Sequence, residues 1–322
     1  EVVDLAAHTS TWTTPIATDY RGVRVTTHPP NSCGIVALET LNVLERFEPP
    51  PPGAFGPTGC ADPRWLHLGI EASKLAFVDR DAHVGDPEAA PVPTAHLLDK
   101  GYAAVLASRI DPDRADPAPP SVVTLVGGTI YVAVVDRDGN AVSLVQSNAS
   151  GFGSGVVDPA TGIHFHNRGQ AFSLDPDDRG ALAPGRRPRH SLLPGMLFRD
   201  GRPWVVAGSM GGDAQPQIHV QLVSALVDGR VDVASGVGAP RWFLEPAEHP
   251  APPVEVRAEP RFAPGVLERL EAMGHPVTRT EPFDSLLGHC HAIELVGGGP
   301  ATEGGALAAA TDPRSAGLPA VY

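Results

Sequence analysis

The sequence predicts an α+β or layered α/β body whose sheet is assembled mainly after residue 128, and three observations predict it. Glycine and proline each occur 35 times in 322 residues while aromatics make up only 6%, a composition of many turns and short elements rather than of a helical bundle. Helical periodicity comes first along the chain, a proline-rich stretch follows, and strands mixed with helices come after it. That order suits helices layered against, or segregated from, one sheet. Finally, a hairpin signature stands soon after the proline-rich stretch. A chain of this length can bury one large core or two modest ones.

Each element has its own signal. Residues 1–30 read as extended and loop-like, ending in His28-Pro29-Pro30. Asn31 or Ser32 then caps a helix over 34–47, in which Ile35, Leu38, Leu41 and Leu44 recur at three-residue steps. The prolines from Pro49 to Pro52 stop it, because proline offers no N–H to the helix ladder. Asp62 followed by Pro63 starts a second helix, with Asp at the cap and Pro at the first helical position. Trp65, Leu68, Leu75 and Val78 are its expected buried stripe. A shorter helix covers 102–109. Between 111 and 128 the composition changes: residues 111–120 hold four prolines and no periodic apolar face, which predicts an exposed linker. Strands over 129–135 and 141–147, joined by an Asp138-Gly139 turn, form the hairpin. Further strands are expected at 163–167, 196–199, 204–207 and 292–296, with helices at 215–227 and 264–273. No internal repeat is visible.

Charge and cysteine usage narrow the function classes. The net charge of −13 is spread along the chain, which disfavours nucleic acid as a partner, since phosphates require basic patches. Cys33, Cys60 and Cys290 are few, odd in number and far apart, so no disulfide framework is expected. No apolar run approaches the roughly 18 residues of a membrane span. No signal peptide is visible, which favours the cytoplasm, but the chain opens on Glu-Val-Val-Asp rather than Met, so its natural start is expected upstream.

Four features carry chemistry. Gly127-Gly128-Thr129 stands where the linker meets a strand. A threonine hydroxyl is a weak nucleophile unless a base stands beside it, and cutting the Gly128–Thr129 bond would free an α-amine able to be that base. A strand that simply begins with a β-favouring threonine explains the same residues. The run from Trp204 to Gly211-Gly212 is a buried strand entering a glycine turn before a helix, where backbone N–H groups can face a developing oxyanion; a tight turn that needs glycine explains it equally. Arg186-Arg187-Pro188-Arg189-His190-Ser191 is the densest basic segment of an acidic chain. It suits a substrate carboxylate, or a solvated loop balancing Asp175, Asp177 and Asp178. Two His-x-His pairs, His164/His166 and His289/His291, lack partners at metal-ligand spacing, so no metal is expected. Gly153-Ser154-Gly155 reads as a turn rather than a nucleophile elbow.

Taken together, the segments resemble a known family. The run Thr129-Ile130-Tyr131-Val132-Ala133-Val134-Val135-Asp136 and its continuation to Asn140 resemble the start of the small subunit of gamma-glutamyltransferases. Phe152 to Gly155, Thr161 to Ile163, Asn167-Arg168-Gly169, Leu182 to Pro188, Gly211-Gly212 and Thr311 to Arg314 continue the likeness. Upstream, Asp19-Tyr20-Arg21-Gly22, Pro29-Pro30 and Glu71 to Arg80 resemble the end of the large subunit. The resemblance implies a four-layer αββα sandwich of the N-terminal-nucleophile hydrolase type with its large-subunit part truncated. It divides the chain into 1–128, the end of the large subunit closing in a flexible linker, and 129–322, the small catalytic subunit. It implies autocleavage between Gly128 and Thr129, with Thr129 as nucleophile, Gly211 and Gly212 in the oxyanion hole, and Ser147 holding the nucleophile where the family has a threonine. The implied reaction transfers a gamma-glutamyl or similar acyl group to water or an amine, with no cofactor. The subunits are expected to stay associated, with a higher oligomer left open.

Departures bear on the substrate. Ile130-Tyr131 stands where well-known members have Thr-His, and Ala171 where they have an acid for the substrate amino group. His190-Ser191 replaces paired serines, and Arg168 a glutamine on the same loop. Arg168, His190 and Ser191 are therefore the expected substrate-binding residues, in a chain similar to the gamma-glutamyltransferase-like branch that shades into acylases of β-lactam side chains. An acylase acting on a non-glutamyl amide, such as a glutaryl one, and an inactive truncated homologue are the alternatives.

Overall fold

The computed structural model describes residues 6–117, 127–245, 254–297 and 304–321. The order is β1 (Ile16–Tyr20), β2 (Val23–Thr27), α1 (Gly34–Leu44), β3 (Phe55–Gly56), β4 (Gly59–Cys60), α2 (Pro63–His83), α3 (Thr94–Leu97), α4 (Lys100–Ala107), β5 (Gly127–Val135), β6 (Ala141–Ser150), β7 (Gly195–Arg199), β8 (Arg202–Met210), α5 (Ala214–Val227), α6 (Val233–Gly238), β9 (Trp242–Glu245), β10 (Glu255–Ala258), α7 (Val266–Ala272), β11 (Val277–Arg279), β12 (His289–Val296) and β13 (Ala306–Ala310). The helices and mixed sheets agree with the expected α+β class.

A six-stranded sheet of order β1-β2-β7-β8-β12-β13 forms the backbone of the fold, and every pairing in it is antiparallel. Both faces of β8 are covered, since Trp204 through Ser209 includes no exposed residue. A Cβ added to Gly195 would meet His219 of α5, and Gly195 is the register partner of Ala207. The next residue, Gly208, faces the Tyr131 ring of β5 instead. Alternation along a strand therefore places α5 on one face and the β5–β6 hairpin on the other. Helix α1 joins α5 on the helical side, packed against β1, β2 and α2. Among the described residues this gives helices, sheet, and a second sheet layer of two strands. The outer face of that layer carries Ile130, Val132, Val134, Val142 and Leu144, all exposed.

Local chemistry explains the boundaries. Asp62 caps α2 by accepting from the Arg64 N–H at 2.8 Å, with Pro63 in the first turn. The predicted stripe of α2 holds for Trp65 and Leu68, but Val78 is 51% exposed; the three-residue step drifts off the buried face of a helix with 3.6 residues per turn. The cap of α1 is Cys33 rather than Asn31 or Ser32, although the Ser32 hydroxyl accepts from the Gly34 N–H at 3.1 Å. Residues 16–27, expected only to be extended, form a hairpin. Its two-residue loop places Arg21 and Gly22 at φ 50° and 82°, the arrangement that matches strand twist. Arg21 keeps that conformation while its guanidinium pairs with Asp228 at 2.8 Å.

Other expectations change. Residues 163–167 are not a strand; only His164 makes an isolated bridge, to Val157. The expected linker is anchored at its start: the Ala115 N–H donates to the Met273 carbonyl at 2.8 Å and the Asp116 N–H to Glu71 at 3.1 Å. Residues 118–126 of that linker lie outside the described residues. The strands β9, β10, β11 and β13 carry no signal strong enough to predict, being four, four, three and five residues long.

Candidate active site

Thr129 sits on β5 with its register partner Ser147 on β6. The Thr129 hydroxyl donates to the Ser147 hydroxyl at 2.8 Å, and the same oxygen accepts from the Ala149 N–H at 2.9 Å. The ladder is irregular here: Gly127 pairs with Ser150 and Thr129 with Ser147, so Asn148 and Ala149 of β6 form a bulge opposite Gly128. Ala149, opposite it, adopts φ 73° without being glycine. Gly128 itself has no room for a side chain, since a Cβ would lie 2.2 Å from the Gly151 carbonyl oxygen. The bond before Thr129 is thus held by a distorted ladder at a position where only glycine fits.

One residue beyond Ser147, the Asn148 carbonyl accepts from the Asn167 N–H at 3.1 Å. The Asn167 side chain then ties down the end of β6, accepting from the Ser150 N–H at 2.9 Å and donating to the Ser150 and Gly153 carbonyls. Next comes a single 3-10 turn, Arg168–Ala171. This stitching directs Arg168 into a cavity of about 250 Å³, whose walls include Cys33, Asp81, His190, Ser191 and Asp213. Gly211 (φ 144°) and Gly212 (φ 56°) form the turn from β8 into α5, and their carbonyls accept from the Ala214 and Gln215 N–H groups. The cavity-lining Asp213 follows directly. Arg168, His190 and Ser191 are therefore brought together, with the glycine turn one residue away through Asp213 and the Thr129–Ser147 pair reached through β6.

The cavity walls are strongly charged. Arg80, fully buried, pairs with Asp213 at 2.7 Å and with Asp81 at 2.8 Å. Arg189 pairs with Asp81 at 2.7 Å. The basic loop around Arg189 finds its acids in Asp81, Asp86 and Glu88, not in Asp175, Asp177 and Asp178 as its sequence neighbourhood suggested. That loop is fixed to the start of α1: Asn31 donates to the Pro188 carbonyl at 2.6 Å, and the His190 carbonyl accepts from the Cys33 N–H at 2.7 Å. His190 Nδ1 accepts from the Leu192 N–H at 3.2 Å, so the neutral ring carries its proton on Nε2. Burial, with Arg168 nearby, pushes the His190 pKa down to about 3. Burial also raises the Cys33 thiol to about 11, which leaves it protonated and unreactive in the wall. Arg168 differs from its neighbours: it is 7% exposed, its Nη2 is buried without a hydrogen-bond partner, and no carboxylate pairs with it among the described residues. Burial lowers its pKa.

Sequence reasoning missed Arg80, Asp81 and Asp213. Arg80 lies in the Glu71–Arg80 motif and Asp213 directly follows the glycine pair, yet nothing local shows that two residues 133 positions apart form an ion pair. The His-x-His rings turn to separate partners: His166 Nδ1 accepts from the Arg168 N–H, His289 Nε2 meets Ser285 and His291 Nδ1 accepts from the Asp312 N–H. A different trio, His67, Glu71 and His275, lies buried within metal-ligand reach. His67 Nε2 donates to the Asp111 carbonyl, leaving Nδ1 to accept from His275 Nε2, each at 2.8 Å. The Lys74 ammonium, 2.7 Å from Glu71, already supplies the cation that carboxylate needs. This network pins the start of the linker to the α2–α7 seam. Among the described residues, no helix is long and apolar enough to cross a membrane.

Comparison with known proteins fits this geometry. The Gamma-glutamyltranspeptidase family profile matches residues 1–322. The chain is 36% identical over 318 residues to the glutathione hydrolase-like YwrD proenzyme of Bacillus subtilis (strain 168), covering 98% of this chain and 57% of that one. It is 37% identical over 320 residues to the oxamate amidohydrolase proenzyme of Klebsiella pneumoniae, covering 99% and 57%. Among solved structures it matches a cephalosporin acylase from Bacillus halodurans with a TM-score of 0.81 and 37% identity, covering 97% of this chain and 54% of that one. The chain spans little more than half the length of these relatives. With every residue inside the family profile and hydrolases and acylases as its relatives, the chain belongs to the gamma-glutamyltranspeptidase family.

Proposed function

We propose that this chain carries the catalytic part of an N-terminal-nucleophile amidohydrolase, matured by cleavage between Gly128 and Thr129. The observation that carries the reading is the Thr129–Ser147 hydrogen bond of 2.8 Å beside a β6 bulge that faces Gly128. Cleavage divides the protein into residues 1–128, the end of a large subunit, and 129–322, a small subunit, which stay associated through their shared core. The relatives named as proenzymes support this order of events.

In the mature form the Thr129 α-amine, with a reference pKa near 8, takes the hydroxyl proton as the oxygen attacks the amide carbon. Ser147 keeps the hydroxyl on that line. Backbone N–H groups at the Gly211–Gly212 turn, at the start of α5, face the oxyanion. The leaving amine departs with a proton, and water or a second amine resolves the threonyl ester. No cofactor enters these steps. Arg168, His190 and Ser191 bind the acyl group, whose type member is gamma-glutamyl. The exposed apolar face of β5–β6 supports the four-layer αββα arrangement, in which a further layer of the complete protein covers it.

A second reading, an acylase acting on a non-glutamyl amide, is favoured by Ala171 beside Arg168, where an acid for the substrate amino group would stand. Intact-mass measurement of the complete protein tests the main reading. Two fragments divided at Thr129 are expected, and a single fragment in the Thr129→Ala variant. Active wild-type protein with residue 129 still bonded to Gly128 would overturn it.

A further inference from the structure

Resting on the amidohydrolase reading, the buried guanidinium points to a narrower substrate class. We propose that Arg168 anchors a terminal carboxylate on the acyl group, and that the pocket takes ω-carboxyacyl amides lacking an α-ammonium group. The charged groups lining one cavity differ in whether they are already paired. Asp81 and Asp213 are held by Arg80 and Arg189. They therefore bring no free negative charge to a substrate ammonium. Asp178 stands on the exposed rim, with Oδ1 accepting from the Gly180 N–H at 2.6 Å, where water screens it. Among the charged residues described in this cavity, only Arg168 has a buried side-chain nitrogen unpartnered and no carboxylate paired with it.

A buried cation without a partner is costly, and a ligand carboxylate removes that cost by a two-pronged, charge-assisted contact. His190 is held neutral by its burial beside Arg168, so its Nε2–H donates to the same anion without adding a charge. An ammonium beside Arg168 would meet repulsion from the guanidinium and no buried acid. The pocket is therefore selective by what it lacks as well as by what it offers.

Three anilides that differ by one charged group each read this out: glutaryl-, gamma-glutamyl- and pentanoyl-p-nitroanilide, offered to the complete, processed protein. The glutaryl compound is expected to be the best by kcat/KM, and the pentanoyl one the worst. Arg168→Met lowers the glutaryl-to-pentanoyl ratio by about 10- to 100-fold, through KM rather than kcat, and Arg168→Lys restores part of it. Preference for the gamma-glutamyl compound, above all if Asp178→Asn removes it, overturns the proposal. So does an unchanged ratio in Arg168→Met, or a lower melting temperature in that variant, which would mean Arg168 pairs with protein. If no anilide is cleaved, or if cleavage survives Thr129→Ala, the amidohydrolase reading fails by itself. The anchor is then decided by calorimetry with glutarate against pentanoate: glutarate binding lost in Arg168→Met upholds it, and equal binding of both acids overturns it.

Discussion

Two regions of this molecule bury arginine, and they do it differently. Near the C-terminus, Arg314 and Glu259 form an ion pair with both side chains fully buried, Arg314 also reaches Asp312 at 2.9 Å, and Arg241 meets Asp312 at 2.7 Å. The carbonyls of Val237, Ala239, Leu287 and Gly288 accept further guanidinium N–H groups. In the cavity beside β6, Arg168 is buried as deeply and has no such company. A charge whose every donor is satisfied locks helices and strands together. A charge left open carries a cost that folding alone does not recover, so the same residue type marks structure in one region and, on the proposed anchoring role, ligand binding in the other.

The contrast can be broken by experiment, and the largest effect falls on chemistry. Thr129→Ala is expected to lower turnover by about 10⁴-fold or more, leaving one uncut chain on a denaturing gel and an unchanged melting temperature. Glu259→Gln, at a residue with no exposure, strips the C-terminal cluster of its pairing charge and costs about 3–5 kcal/mol in denaturant melts; no change in stability would erase the distinction between the regions. Acid sharpens it next. Burial lowers the pKa of His219 and of His275 to about 3, against about 6.5 in the unfolded chain. The unfolded state thus binds protons that the folded state does not, so stability is complete above pH 6.5 and falls below it by about 1.4 kcal/mol per pH unit for each such histidine. Melts from pH 7 to 4 measure that slope. Arg168→Met removes an unmatched charge and is expected to raise stability by about 1 kcal/mol, the opposite sign to Glu259→Gln. Smallest is Ala149→Gly, which relieves φ 73° at the bulge and adds about 0.5 kcal/mol, because the relief is partly offset by glycine's greater freedom in the unfolded chain.

Much of the local structure was legible. The Asp62-Pro63 start of α2, the Asp138-Gly139 hairpin and the helix after Gly212 all follow from short-range chemistry, where caps, turn residues and periodicity act within a few positions. The pairing of Thr129 with Ser147 was available only by resemblance, yet it follows simply from the register of that hairpin. Reading failed where a segment's conformation depends on distant partners. Residues 163–167 look like a strand and make only an isolated bridge, His164 to Val157, inside a local loop. Residues 16–27 look like loop and become the sheet edge, because β7, some 170 positions on, supplies the ladder.

By itself the sequence determined the α+β class, the Asp62-Pro63 helix start, the hairpin and the order of the family motifs. Each of these is decided by residues close together in the chain. Tertiary structure alone decided which charges are spent and which remain free. Arg80 reaches Asp213 and Arg189 reaches Asp81, while Arg168 pairs with no carboxylate among the described residues. Pairing depends on distances across the folded body, and the cost of an unpaired charge arises only once the surrounding chain has excluded water.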